Sequence, residues 1–222
     1  MTRVIGFGAG GHAAVVIEAF ELMAMARRDA SSIVGLVARE GAHDSLLGYP
    51  VLGTDDDLPN IVARTAADGF FVGLGMVRGG DPLRERVYAA ALAAGLSPVS
   101  IIHPSAVVSP RAVIEPGAVV LAGAVVQVRA RIGENAIVNT CAHVDHDSCV
   151  GAHSHVGPGA ALSGDVRIGR MVQIGTGACV RNGVSIGDGA TVGVGAAVVA
   201  DCPAHAVVVG VPARERKASA TA

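Results

Sequence analysis

The chain has 222 residues, 51% hydrophobic but only 3% aromatic, and a formal net charge of −2. No basic stripe and no apolar run of membrane-spanning length occurs, so neither nucleic-acid binding nor membrane insertion is expected. The four cysteines, Cys141, Cys149, Cys179 and Cys202, make no CxxC pair, which argues against a disulfide framework or a zinc site. The opening reads as a strand and not as a charged leader with an apolar core, and the cytoplasm is the expected compartment.

The first hundred residues read as β-α-β. Residues 3–7 form an apolar strand that runs into Gly6-Phe7-Gly8-Ala9-Gly10-Gly11, and a helix is expected over 12–26. A second strand follows at 33–38, then a polar loop, then a third strand near 70–74. Asp81-Pro82 starts an Ala-rich helix to about 94, which Gly95 ends. A short strand at 98–102 leads out of this region, and the boundary falls near 102–104. The glycines fit G-x-G-x-x-G between a strand and a helix, where backbone N–H groups and the helix N-terminus suit a phosphate. The unit is about half of a dinucleotide domain. Ala38-Arg39-Glu40 stands where a ribose-binding acid would end the second strand, which disfavours a nicotinamide dinucleotide. A glycine turn serving only close helix–strand packing is the competing explanation.

From Ile102 to Pro203 the chain keeps a six-residue beat. A large aliphatic recurs at every sixth position from Ile102 through Val198, and four residues after each comes a small or slim side chain, most often Ala. Three residues after each aliphatic stands Gly, Asn, Asp or Ser in most hexads, residues that tolerate the backbone of a tight bend. Helix periodicity is absent and the β-branched content suits short strands. A fixed period with one shared core predicts a parallel β-helix, three hexads to the coil, with coils spaced by about 4.8 Å. Val, Ile and Ala fill such a narrow prism better than rings do.

Polar chemistry gathers at 139–155, where Asn139-Thr140-Cys141-Ala142-His143-Val144-Asp145-His146-Asp147 is followed by His153-Ser154-His155. A solenoid core needs no imidazoles. Three readings stay open. His146 is a general base oriented by a carboxylate; or His143, His146, His153 and His155 are metal ligands; or these are exposed polar residues, with Asp147 filling a corner. Neighbouring strand residues point to opposite faces, so His146 and Asp147 meet only if a corner brings them together.

The hexads resemble those of the left-handed β-helix acyltransferases. Gly8-Ala9-Gly10-Gly11-His12, Val144-Asp145-His146-Asp147 and Val209-Gly210-Val211-Pro212-Ala213-Arg214 narrow the likeness. Together they resemble the nucleotide-sugar N-acetyltransferases that modify 4-amino-4,6-dideoxy sugars, with the sialic acid O-acetyltransferases as close relatives. The resemblance implies a half-Rossmann α/β domain over 1–101 and a left-handed parallel β-helix over 102–214; beyond it, 215–222 is small and polar and is expected to be a frayed tail. It implies His146 as the base, Asp147 as its partner and Asn139 nearby. His155, Gly164, Thr176 and Val194 would contact acetyl-CoA, and Gly10, Gly11, His12 and Gly75 would hold a nucleotide-sugar. It further implies a homotrimer with sites between adjacent prisms, direct transfer to the sugar's C4 amine, and no metal. The chain departs from the family at 37–39, where relatives carry an acidic pair, and at 76–80, where they carry Asn or Asp close after the glycine. O-acetylation of a sialic acid, a β-helix zinc carbonic anhydrase and a non-catalytic nucleotide-sugar scaffold are the alternatives.

Overall fold

The structure, a computed structural model, describes residues 2–76 and 78–216. Its first part contains β1 (Arg3–Phe7), α1 (Gly11–Arg27), β2 (Ser32–Val37), β3 (Ser45–Leu46), β4 (Tyr49–Gly53), α2 (Leu58–Thr65), β5 (Gly69–Val72), α3 (Leu83–Ala93) and β6 (Ser97–Pro98). The sheet order is β3-β4-β2-β1-β5-β6, parallel throughout except for the β3–β4 pair. β1 and β5 are continuous apolar runs because helices cover both faces. Val16, Ile17, Phe20 and Met23 of α1 are buried, at the spacing that puts one stripe of a helix on the core.

Two sequence expectations change. The polar loop after β2 holds β3, β4 and α2, which are short or interrupted by Pro50 and Pro59 and so carry little periodic signal. The strand expected at 98–102 is two pieces: β6 extends the α/β sheet, whereas Ile101–Ile102 opens the second part. Ile101 packs with Val16, Ile17, Phe20 and Met23 of α1, and Ile102 packs into the next core.

That second part is a prism of three parallel sheets. The first face stacks Ile101–Ile102, Val119–Val120, Ile137–Val138, His155–Val156, Gln173–Ile174, Thr191–Val192 and Val207–Val209, with Arg214–Glu215 added antiparallel. The second stacks Val107–Val108, Val125–Val126, His143–Val144, Ala161–Leu162, Cys179–Val180 and Ala197–Val198. The third stacks Val113–Ile114, Arg131–Ile132, Cys149–Val150, Arg167–Ile168 and Ser185–Ile186. The beat's aliphatic and small positions from Ala118 onward form one buried column. In the first coil Ala106, Val108, Ala112 and Ile114 are only partly covered, as at the open end of any solenoid.

Every corner from Gly117 to Gly195 has positive φ, including Arg129, Cys141, His153 and Met171, which no turn propensity would nominate. Packing of the stacked coils overrides local preference there. The beat fails once. Val198 still pairs with Val180, but Cys202 bridges Ile186, so the last hexad is two residues short and Cys202 occupies a strand position, not the small position expected of it. The tail expected to fray from 215 is paired at Glu215, and Arg216 N–H donates to Val207 O at 2.7 Å. Residues 217–222 lie outside the described residues.

Candidate functional site

The corner between the second and third faces places His146 and Asp147. Asp147 is left-handed, with φ of 62°, and this bend brings two neighbouring side chains together that an extended strand would separate. His146 Nδ1 lies 2.8 Å from Asp147 Oδ2. Arg129, one coil earlier at the same corner, grips both carboxylate oxygens, with Nε–Oδ1 at 2.6 Å and Nη2–Oδ2 at 2.8 Å. Hydrogen bonds from Arg129, and then from His146, hold the Asp147 carboxyl well below the usual carboxylate range. A permanent carboxylate fixes the tautomer with Nδ1 protonated, leaving the Nε2 lone pair free. The His146 ring is half exposed, and Gly164 lies directly against it: a Cβ there would stand 2.5 Å from Cε1 and 2.6 Å from Nε2. Sequence reasoning missed Arg129. Its signal was a basic residue one full coil before the acid.

A second polar group lies under the α/β part, on the first face. Asn139 Oδ1 accepts from Thr140 N–H at 2.8 Å, which turns its amide nitrogen toward His155 Nε2, also at 2.8 Å. The His12 ring, from the first turn of α1, stands 5.9 Å from that of His155, and Gly75 rests on the His12 ring. Burial, then the positive charge of Arg84, pushes His12 down to about 4; burial, then His12 and Arg84, pushes His155 down to about 3. Two polar atoms of this group have no partner among the described residues: His12 Nε2 and Gln173 Oε1.

These two rings make stability pH-dependent. Unfolding restores their ordinary values near 6.5, so below that pH the unfolded chain binds more protons than the folded one. Stability is therefore complete above about pH 6.5 and is lost as pH falls toward 4, by about 1.4 kcal/mol per pH unit for each ring. Thermal unfolding from pH 7.5 to 4.5 should show this slope, and His155→Gln should flatten it; an unchanged slope would place the acid loss elsewhere.

The third element is a cavity of about 680 Å³ at the carboxyl ends of β1 and β2, lined by Gly8, Gly10, Arg39, Asp55, Leu74 and Arg86 among others. This is where open α/β sheets bind ligands, beside a helix N-terminus. Asp55 supplies a carboxylate that the end of β2 lacks. It was illegible because β4 had not been expected, and the ends of β4 and β2 open on the same space.

The anticipated residues thus fall into separate places. His146, Asp147 and Gly164 share one corner. Asn139, His155, His12 and Gly75 share another region, Gly10 lines the cavity, and Gly11 opens α1 beside it. Thr176 and Val194 stack on successive coils at the corner between the first and second faces, where Gly195 N–H donates to Thr176 O and Val194 is 79% exposed. The four histidines of the metal reading are spread over two faces (His143 and His155) and two corners (His146 and His153). Among the described residues, no three His, Cys, Asp or Glu side chains stand close enough to hold a metal ion, and no helix is long and apolar enough to cross a membrane.

The corner histidine is thus oriented by a buttressed carboxylate, on a hexad prism joined to a small α/β unit. No protein-family profile and no curated protein sequence matches the chain. Solved structures do. PerB of Caulobacter crescentus, in complex with CoA and GDP-perosamine, is 38% identical over 98% of both chains, with a TM-score of 0.87. Two further structures of that perosamine N-acetyltransferase carry a single histidine substitution. The acetyltransferase domain of PglB from Neisseria gonorrhoeae FA1090, also seen with acetyl coenzyme A, is 38% identical over 97% of this chain and all of that one, with a TM-score of 0.84. The chain belongs to the 4-amino-4,6-dideoxy sugar N-acetyltransferase family.

Proposed function

We propose that the protein transfers the acetyl group of acetyl-CoA to the C4 amine of a nucleotide-linked 4-amino-4,6-dideoxy sugar. The observation that carries this reading is the Arg129–Asp147–His146 chain of contacts ending in a free Nε2. A neutral amine attacks the thioester carbonyl, forming the new C–N bond. Nε2 takes the amine proton as the tetrahedral intermediate forms, and Asp147 stabilises the imidazolium. Collapse breaks the C–S bond, and His146 returns the proton to the leaving thiolate, giving CoA. A corner N–H stabilises the oxyanion. No cysteine is needed, and no metal enters the scheme.

The nucleotide end occupies the Gly8–Gly10 cavity, with Gly11, His12 and Gly75 toward the sugar; acetyl-CoA runs along Gly164, Thr176, Val194 and His155. Within one chain the base and the His12–Asn139–His155 group stand on different sides of the prism. A homotrimer of left-handed prisms supports their convergence, each site combining one subunit's His146 corner with its neighbour's first-face group. The apolar surface left at Val107, Val194 and Val199 is suited to such contacts. The α/β part acts as half of a dinucleotide fold. The cytoplasm, where acetyl-CoA and nucleotide sugars are available, is the working compartment, and polysaccharide assembly the destination of the product.

The test is CoA thiol release from acetyl-CoA against UDP-, GDP- and dTDP-linked 4-amino-4,6-dideoxy sugars, with a sialic acid alongside. Turnover of one nucleotide-linked amine is expected. Turnover of the sialic acid alone would replace N-acetylation by O-acetylation.

A further inference from the structure

Arg84 is 2% exposed, yet its guanidinium forms no ion pair among the described residues. It sits in the first turn of α3, between the α/β sheet and the prism corner that joins the third face to the first. Nη1 donates to Leu74 O and, at 3.3 Å, to Val72 O. Nη2 donates to Asn135 O at 2.6 Å and to Asn135 Oδ1 at 2.7 Å. Asn135, itself fully buried, returns its amide to Arg84 O at 3.2 Å and lies 3.0 Å from His153 Nδ1. Nε has no partner.

A buried cation without a carboxylate is a poor way to gain stability, since its desolvation costs several kcal/mol and a well-packed apolar side chain is often as good or better. Its geometry suggests another use. β5 follows β1 as far as Gly73, whose N–H still donates to Phe7 O at 2.8 Å. Beyond that point the chain leaves the sheet. Leu74 then forms part of the cavity wall, and Gly75 lies on His12. Among the described residues the Leu74 carbonyl is held at that exit by Arg84 alone, and the other arm of the same planar fork grips the prism at Asn135.

We infer that Arg84 is the positioning residue for the nucleotide-sugar, its guanidinium fixing Leu74 of the cavity wall, where the chain leaves the sheet toward Gly75, in register with the Asn135 corner of the prism. The inference rests on reading the Gly8–Gly10 cavity as the nucleotide site. Because the fork spans two partners in one plane, lysine cannot replace it: an ammonium keeps the charge but presents its donors from a single point. Asn135 has φ of 52°, so glycine is the substitution there that removes the amide without backbone strain.

The experiment measures binding of GDP, UDP and dTDP by calorimetry, the KM for acetyl-CoA, and thermal unfolding, for the wild type, Arg84→Lys and Asn135→Gly. Both variants should weaken the nucleotide that the wild type prefers by about tenfold or more while the KM for acetyl-CoA stays within about twofold. Lowered unfolding temperatures with unchanged nucleotide affinity would reduce Arg84 to a structural rivet and overturn the inference, leaving the proposed function intact. Equal losses for nucleotide and acetyl-CoA would also overturn it, as a general loosening. A wild type that binds none of the three nucleotides would overturn both.

Discussion

His146→Ala should lower kcat at least a hundredfold while leaving the fold in place. General-base catalysis by a positioned side chain is typically worth about 10²–10⁴-fold, and no other imidazole stands at this corner to replace it. The ring is 54% exposed, so its removal forfeits little buried area. Initial rates of CoA release, with thermal unfolding as the control, check both halves. A rate within a fewfold of wild type would remove His146 as the base. A collapse of the unfolding temperature would mean that the rate was lost with the structure.

Gly164→Ala should produce nearly as large a loss without touching a reacting group. The φ of Gly164 lies outside the left-handed region, so alanine fits the backbone; the conflict is with the ring above it. A methyl 2.5 Å from Cε1 cannot coexist with the observed ring, which must swing outward, carrying Nε2 with it. An exposed ring can move cheaply, so stability should change little. Misplacement of a catalytic group by about 1 Å can cost as much as 10²-fold, and kcat should fall tenfold to a hundredfold. The partition of the effect is informative, because the resemblance assigned Gly164 to the acetyl-CoA groove. A fall in kcat with little change in the KM for acetyl-CoA would make its main duty the seating of His146. A raised KM at constant kcat would restore the groove assignment.

The prism was legible because its signal is redundant. Each hexad repeats one instruction, an aliphatic inward and a bend three residues on, so Arg129, Cys141 and His153 at corners could not hide the pattern. The same redundancy concealed the one exception: Cys202 is small enough to satisfy the beat that it breaks, and only its bridge to Ile186 reveals the shortened coil. The α/β part was less transparent because β3, β4 and α2 are too short to show a period. Asp55 consequently went unnoticed in the cavity wall.

By itself the sequence determined the six-residue coil, the glycine turn after the first strand and the presence of a histidine beside an acid. All three follow from local residue order or a fixed period. Only the tertiary structure decided which of these groups meet. Left-handed backbone at Asp147 turned two neighbours that should point apart into a hydrogen-bonded pair. Stacking by one coil set Arg129 on that acid and Gly164 under the ring. Docking of α1 and α3 on the prism brought His12 to His155 and Arg84 to Asn135 across long stretches of chain. Such contacts depend on where a coil ends and on which face a helix covers, quantities that no short window of residues encodes.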